Sequence, residues 1–121
     1  CDLISRVPKN FALYSGDDAT GMAFMLCGGN GVISVTSNVA PKLMSQMCDA
    51  AIAGKAALAR ELNDKLQGLH KQLFAEPNPI PAKWVLQELG MIPAGIRLPL
   101  HVMSDSLRPQ LTTAMKQAEL I

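Results

Sequence analysis

The stretch CGGNGVISVTSN, residues 27–38, decides the fold that this sequence predicts. Its glycines end one element, and the β-branched run GVISVT (31–36) then predicts a buried strand. Ser37 and Asn38 can cap a following helix, with Pro41 in its first turn. A nucleotide-binding loop would need its glycines after a strand and before a helix. Because the order here is the reverse, the stretch predicts a tight turn from a helix into a strand.

The residues before this turn predict a matching unit. FALYS (11–15) is a short apolar run between turn residues, and it predicts another buried strand. Asp17 or Asp18 can cap a helix over DATGMAFMLCGG (18–29). Alternating strands and helices joined by short connections favour a parallel sheet covered by helices. Two strands do not form a stable sheet alone, so we expect further strands to come from elsewhere.

From Lys55 onward the sequence pattern is helical. One long helix carries a stripe of leucines at spacings of three and four residues, which are Leu58, Leu62, Leu66, Leu69 and Leu73. His70 flanks this stripe, and we expect it to be an ordinary hydrogen-bonded histidine of the helix. A histidine beside the apolar face of a helix is more often a hydrogen-bonded core residue than a catalytic one.

Two more helices are predicted after a proline-rich break. They cover PAKWVLQELG (81–90) and SDSLRPQLTTAMKQAEL (104–120), where Pro109 is tolerated only within the first turn. The change from alternating elements to helices divides the chain into residues 1–54 and residues 55–121.

The first residues, CDLISRVPKNFAL (1–13), contain neither an initiator Met nor a signal sequence. They are typical of the end of a helix that stops before Pro8, with a strand after it. We therefore expect the chain to begin in the middle of a longer protein.

Composition argues against several kinds of function. Eleven basic and ten acidic residues of alternating sign give a net charge of +1, which does not favour a nucleic-acid partner. No apolar run reaches the roughly 18 residues of a membrane span. Three cysteines form no disulfide framework, and we expect Cys27 and Cys48 to be reduced, buried thiols. His70 and His101 are far apart in the sequence, so no metal site is predicted.

Candidate functional residues follow the two predicted strands, where ligands gather in α/β folds. Gly16, Asp17 and Asp18 follow the first strand, and TSN (36–38) follows the second. Two adjacent carboxylates could serve acid–base chemistry. A helix cap followed by a first-turn acid explains them equally well.

The residues that would complete an active site are not found in the sequence. None of the seven lysines lies in a predicted buried strand, where a carbonyl-trapping lysine would have its pKa lowered. Tyr14 has no evident base beside it, and the sequence contains no nucleophile elbow, HExxH or Walker loop.

Three segments together resemble the C-terminal part of the dihydrodipicolinate synthase family. They are LYSGDDATGMAFMLCGGNGVISVTSNVAPKLMSQMCDAAIAGK (13–55), LFAEPNPIPAKWVLQELGMI (73–92) and RLPLHVMSDSLRPQL (97–111). The motifs SGDD, GVISVTSNV and EPNPIP-KW separate this family from relatives such as N-acetylneuraminate lyase. The resemblance implies an α/β fold, the last two strand–helix units of a (β/α)₈ TIM barrel, followed by a C-terminal three-helix domain.

The resemblance also implies a function. Enzymes of this family condense pyruvate with L-aspartate 4-semialdehyde through a lysine Schiff base, in the lysine (diaminopimelate) pathway. The Schiff-base lysine and the catalytic tyrosine would lie upstream of Cys1, so no catalytic residue is expected in this chain, and the chain alone is expected to be inactive. The resemblance implies no cofactor, a cytoplasmic location, and a homotetramer that needs the N-terminal part.

Four residues match substrate-contacting positions of the family. Ile33 matches the position that contacts pyruvate, Gly16 and Asp17 match the rim of the site, and Asn78 is expected to approach it. Two alternatives stay open. One is a pyruvate aldolase of the N-acetylneuraminate lyase type, and the other is a non-catalytic helical interaction module.

Overall fold

Six α-helices and a two-stranded parallel sheet make up residues 2–121, the part of the chain that the computed structural model describes. The elements are α1 (Asp2–Arg6), β1 (Tyr14–Ser15), α2 (Asp18–Leu26), β2 (Gly31–Val32), a 3-10 turn (Thr36–Asn38), α3 (Pro41–Ile52), α4 (Ala56–Gln72), α5 (Ile80–Glu88) and α6 (Arg108–Gln117). The predicted parallel pairing and the predicted order of elements are confirmed.

Both strands are shorter than the sequence predicted. Tyr14 pairs with Gly31 and Ser15 with Val32, so the ladder is two residues long instead of the predicted 11–15 and 31–36. A ladder extends only as far as a neighbouring strand accepts its hydrogen bonds. The backbone N–H groups of Val35 and Thr36 instead donate to the side chain of Asp18, and the chain turns there.

The ends of α2 follow from its flanking residues. Asp17 is the N-cap, and its side chain accepts a hydrogen bond from the Thr20 N–H. Gly28 follows the helix with a φ of 104°, and the N–H of Gly29 donates to Phe24 O, which completes a Schellman turn. The predicted glycine turn from a helix into a strand is therefore confirmed.

The predicted caps of α3 are wrong. The N-cap residue is Ala40, which makes no side-chain cap, and Pro41 lies in the first turn as predicted. Ser37 and Asn38 lie in the 3-10 turn, too far before the helix to reach its free N–H groups. Their side chains donate to carbonyl oxygens of residues 34 and 35 instead, and so stabilise the turn.

The helices α3, α4, α5 and α6 enclose the hydrophobic core. Of the leucine stripe, Leu66, Leu69 and Leu73 are fully buried, each worth about 1.5–3 kcal/mol relative to exposure, whereas Leu58 is 44% exposed. One continuous cluster of buried side chains includes residues on both sides of Gly54. The domain boundary at that glycine stays a prediction.

Two further expectations concern the burial of the cysteines and the membrane-spanning helices. The expectation of buried thiols is wrong for Cys27, which is exposed, because it follows the last turn of α2 and does not lie on its buried face. Cys48 in α3 is half-buried, and Cys1 lies outside the described residues. Within residues 2–121, no helix combines the length and the apolar character that crossing a membrane requires.

Candidate functional site

The carboxyl ends of β1 and β2 lie side by side and bring three of the four predicted site residues together. The N–H of Ile33 donates to Ser15 O at 2.8 Å, immediately after the two-residue ladder. Gly16 and Asp17 follow Ser15 directly, so they lie at the same end of the sheet as Ile33. The proximity that the sequence predicted for these residues is therefore present.

Apolar side chains are exposed in β1 and in the residues that flank the two strands. Ile33 is 71% exposed, and Phe11 and Tyr14 are 58% and 57% exposed. A large aliphatic side chain with this much exposure, at the carboxyl end of a parallel strand, is available to line a binding site. The space around Gly16 is open as well, because a Cβ at this glycine would meet no atom within 4 Å.

Asp17 caps α2 and is exposed to solvent. Its carboxylate accepts hydrogen bonds from the N–H of Thr20, at 2.9 Å, and from the Thr20 hydroxyl. The hydroxyl bond is the main reason that the pKa of Asp17 lies below its ordinary value. This carboxylate is therefore ionised at neutral pH and acts as the helix cap.

Asp18 is buried, only 3% exposed, and forms part of a polar cluster. Its Oδ2 accepts the N–H groups of Val35, at 2.9 Å, and of Thr36, at 3.1 Å. The Thr36 hydroxyl in turn shares a hydrogen bond of 2.9 Å with Nδ1 of His70 in α4. The expectation of a hydrogen-bonded helix histidine is confirmed at Nδ1, whereas Nε2 has no partner among residues 2–121.

Burial determines the charge of His70. Loss of solvent lowers the pKa of this imidazole below its ordinary value near 6.5, while the negative charges of Asp18 and Asp17 partly oppose the shift. The ring is therefore neutral at neutral pH. No sequence motif indicated this cluster, since its three members are separated by 18 and 34 residues.

Asn78 belongs to a different connection of the chain from the other predicted site residues. It is exposed in the connection between α4 and α5, and its peptide bond to Pro79 is cis. The neighbouring Glu76 accepts hydrogen bonds from the backbone and hydroxyl of Ser104, and the hydroxyl bond is the main cause of its lowered pKa. Within residues 2–121 no hydrogen bond joins Asn78 to Gly16, Asp17 or Ile33.

The residues that follow β1 and β2 include no lysine that could act as a nucleophile. None of the lysines lies in β1 or β2, and the side chain of the strand residue Tyr14 is exposed. In residues 2–121 no three histidine, cysteine or acidic side chains are grouped so that they could hold a metal ion.

Comparison with known proteins matches almost the whole chain to one family. The model of the Dihydrodipicolinate synthetase family matches residues 1–118. A 4-hydroxy-tetrahydrodipicolinate synthase of Laribacter hongkongensis is 64% identical over 121 residues, and one of Thiobacillus denitrificans is 60% identical over 120 residues. These alignments cover 100% and 99% of this chain but only 42% and 40% of the relatives. The chain thus spans about two fifths of the length of the curated relatives it matches.

Solved structures agree with this match. The dihydrodipicolinate synthase of Acinetobacter baumannii, described as chloride-inhibited and complexed with pyruvate, superposes with a TM-score of 0.94 at 48% identity. The enzyme of Aquifex aeolicus gives a TM-score of 0.91 at 38% identity. The alignments cover 99% and 98% of this chain, and 41% of each of the two structures.

Proposed function

Because the chain belongs to the Dihydrodipicolinate synthetase family, we propose that it forms part of a 4-hydroxy-tetrahydrodipicolinate synthase. The enzyme would condense pyruvate with L-aspartate 4-semialdehyde in lysine biosynthesis. The observation that carries this proposal is the 64% identity to a synthase across all 121 residues. The two fifths that the chain spans then correspond to the C-terminal part of the enzyme.

The short sheet with its open edges supports a barrel that other residues complete. We propose that β1 and β2 are the last two strands of a (β/α)₈ barrel, and that residues 55–121 form its C-terminal helical domain. Both strands have an unpaired edge within residues 2–121, and unpaired edges with exposed apolar side chains need further strands. The rest of the barrel would cover Phe11 and Tyr14.

The proposed role of the chain in catalysis is to form one wall of the pyruvate site. Ile33 would contact pyruvate and keep water from the imine, since an apolar wall lowers the local polarity. Gly16 lets a ligand approach the backbone, and Asp17 would stand at the rim with its negative charge. Asn78 would reach the site only from the connection that precedes α5.

The nucleophile in this proposal is a lysine outside residues 1–121. Its amine would attack the keto carbon of pyruvate, lose water and form an imine, which serves as the electron sink for carbon–carbon bond formation. No cofactor is needed for this chemistry. The enzyme would act in the cytoplasm and assemble as a homotetramer.

The test uses the enzyme encoded by the complete reading frame that contains this chain. We expect product formation to require both pyruvate and aspartate semialdehyde. Borohydride treatment in the presence of pyruvate should leave a covalent adduct on a single lysine, and peptide mapping should place that lysine outside residues 1–121. Activity with pyruvate and N-acetylmannosamine instead would favour an N-acetylneuraminate lyase, and no adduct at all would favour a non-catalytic module.

A further inference from the structure

Three buried polar side chains from three elements meet close to the backbone that carries Ile33. Asp18 begins α2, Thr36 begins the 3-10 turn and His70 lies in the last turn of α4. Their exposed fractions are 3%, 0% and 4%. We refer to them as the Asp18–Thr36–His70 cluster.

Asp18 determines the path of the backbone after Ile33. Its Oδ2 accepts the N–H groups of the second and third residues after that isoleucine, at 2.9 and 3.1 Å. The N–H of Ile33 itself donates to Ser15 O at 2.8 Å. Residues 33–36 are therefore held at both ends, and a side-chain carboxyl group replaces the neighbouring strand as the acceptor at the second end.

His70 connects this segment to the helical part of the chain. Its Nδ1 and the Thr36 hydroxyl are 2.9 Å apart, and both groups are buried. The neutral ring cannot move without breaking this bond or displacing Thr36. The position of α4 is in this way coupled to the position of residues 33–36.

The cluster lowers the stability of the folded chain compared with apolar side chains at the same positions. Asp18 Oδ1 and His70 Nε2 are buried and have no hydrogen-bond partner among residues 2–121. A buried polar atom without a partner costs roughly 1–3 kcal/mol, whereas an apolar core of similar shape avoids that cost. Local features that lower stability are typical of sites that serve function.

We propose that the Asp18–Thr36–His70 cluster positions Ile33, the proposed wall of the pyruvate site, for pyruvate binding. The proposal rests on the proposed function. None of the three residues needs to touch the substrate, because each acts through the backbone of residues 33–36. They are positioning residues, and their loss would displace the wall without removing it.

The first test is the double variant Thr36→Val/His70→Leu in the complete enzyme. Both partners of the hydrogen bond are replaced by apolar groups, so we expect the thermal stability to stay equal or to rise. We expect kcat/KM for pyruvate to fall by roughly tenfold because the wall is misplaced. The effect on kcat/KM for aspartate semialdehyde should be smaller.

The matched control is Thr112→Val in α6. The hydroxyl of this threonine donates a hydrogen bond to Arg108 O at 3.0 Å. The variant therefore also removes one threonine hydroxyl hydrogen bond, but in a helix that contributes nothing to the cluster. Its kcat/KM for pyruvate should equal that of the unmodified enzyme. An unchanged kcat/KM in the folded double variant would overturn the positioning role. Inactivity of the unmodified enzyme with both substrates would instead overturn the proposed function.

The second test compares Asp18→Asn with Asp18→Ala by hydrogen exchange and kinetics. Asparagine retains an oxygen that can accept the two N–H groups, whereas alanine does not. We expect exchange in residues 33–39 to become roughly tenfold faster only in Asp18→Ala, with a matching rise in KM for pyruvate. Equal exchange and equal KM in the two variants would contradict the proposal. If Asp18→Ala does not fold, the double variant decides.

Discussion

At the scale of single residues, Asp17 and Asp18 show how neighbours in sequence acquire different roles. Successive residues at the start of a helix point about 100° apart, so one carboxyl group faces solvent and the other faces the core. Asp17 caps α2, and Asp18 accepts two backbone N–H groups from across the sheet end. The hypothesis of a cap plus a first-turn acid is correct for the pair. The structure shows in addition that Asp18 bonds to the backbone that follows Ile33.

Ile33 provides the first prediction. In the complete enzyme, Ile33→Ala should raise KM for pyruvate by roughly tenfold, because it removes apolar contact in a substrate site. The effect on kcat should be smaller. Steady-state kinetics with pyruvate as the varied substrate measure this. A KM that equals the unmodified value would remove Ile33 from the proposed site.

The burial of His70 predicts a specific loss of stability in acid. Its pKa in the folded state lies below the ordinary value near 6.5, so the unfolded chain binds the proton first as the pH falls. Above about pH 6.5 the ring is neutral in both states, and burying it carries no cost of removing a proton. As the pH falls from there toward the folded-state pKa, the folded state loses stability relative to the unfolded chain. Asp17 and Asp18 face the ring and limit the loss, because their negative charges favour its protonation.

The measurement is Tm against pH between 7.5 and 5 for the complete enzyme and for His70→Asn. Asparagine keeps a polar group near the Nδ1 position and does not titrate. We expect Tm of the unmodified enzyme to fall more steeply below pH 6.5 than Tm of the variant. Every other titrating group is common to both proteins, so parallel profiles would mean that His70 binds its proton equally in the folded and unfolded states.

At the scale of elements, helix ends were more predictable than strands. Gly28, Gly54 and Gly90 follow α2, α3 and α5, each with a positive φ, as their sequence positions suggested. Glu119 occupies the same position after α6 with a φ of 56°, which sequence reasoning could not foresee for a non-glycine residue. Helix ends depend on nearby residues, whereas strand length depends on the neighbouring strand.

The contact between α4 and α6 provides the next prediction. A Cβ at Gly68 would lie 3.0 Å from Ala114 Cβ and 3.2 Å from its backbone Cα. Gly68→Val should therefore lower the free energy of unfolding by about 1–3 kcal/mol, because α6 must move away. The control is Gln67→Val at the adjacent exposed position, which tests helix propensity alone and should cost only a few tenths of a kcal/mol.

Urea unfolding of the complete enzyme measures both variants. A cost for Gly68→Val no larger than that of Gln67→Val would show that the two helices can separate freely. A larger cost would confirm that the glycine permits the close approach of α4 and α6.

At the scale of the whole molecule, residues 2–121 form a helical core and a small sheet with open edges. The core clusters around α3, α4, α5 and α6, while Phe11, Tyr14 and Ile33 are exposed in and beside the two-stranded sheet. This asymmetry agrees with a chain that spans about two fifths of its relatives.

The last prediction concerns the 121-residue chain expressed alone. It should form no borohydride-trapped adduct with pyruvate, because the imine-forming lysine is proposed to lie elsewhere. We also expect it to fold poorly as a monomer, since two strands with open edges make a marginal sheet. Mass spectrometry and thermal unfolding test these two statements separately. An adduct would contradict the first, and a cooperative transition of a monomer would contradict the second.

The sequence by itself determined the order of the elements, the glycine turns, the cap of α2 and the leucine face of α4. These features depend on φ/ψ preferences and on hydrophobic periodicity within a few residues. Only the tertiary structure decided the short strands, the exposure of Cys27 and the Asp18–Thr36–His70 cluster. Hydrogen bonds between residues that are 18 and 34 positions apart have no local signature, because they form only when packing brings the helices and the strand ends together.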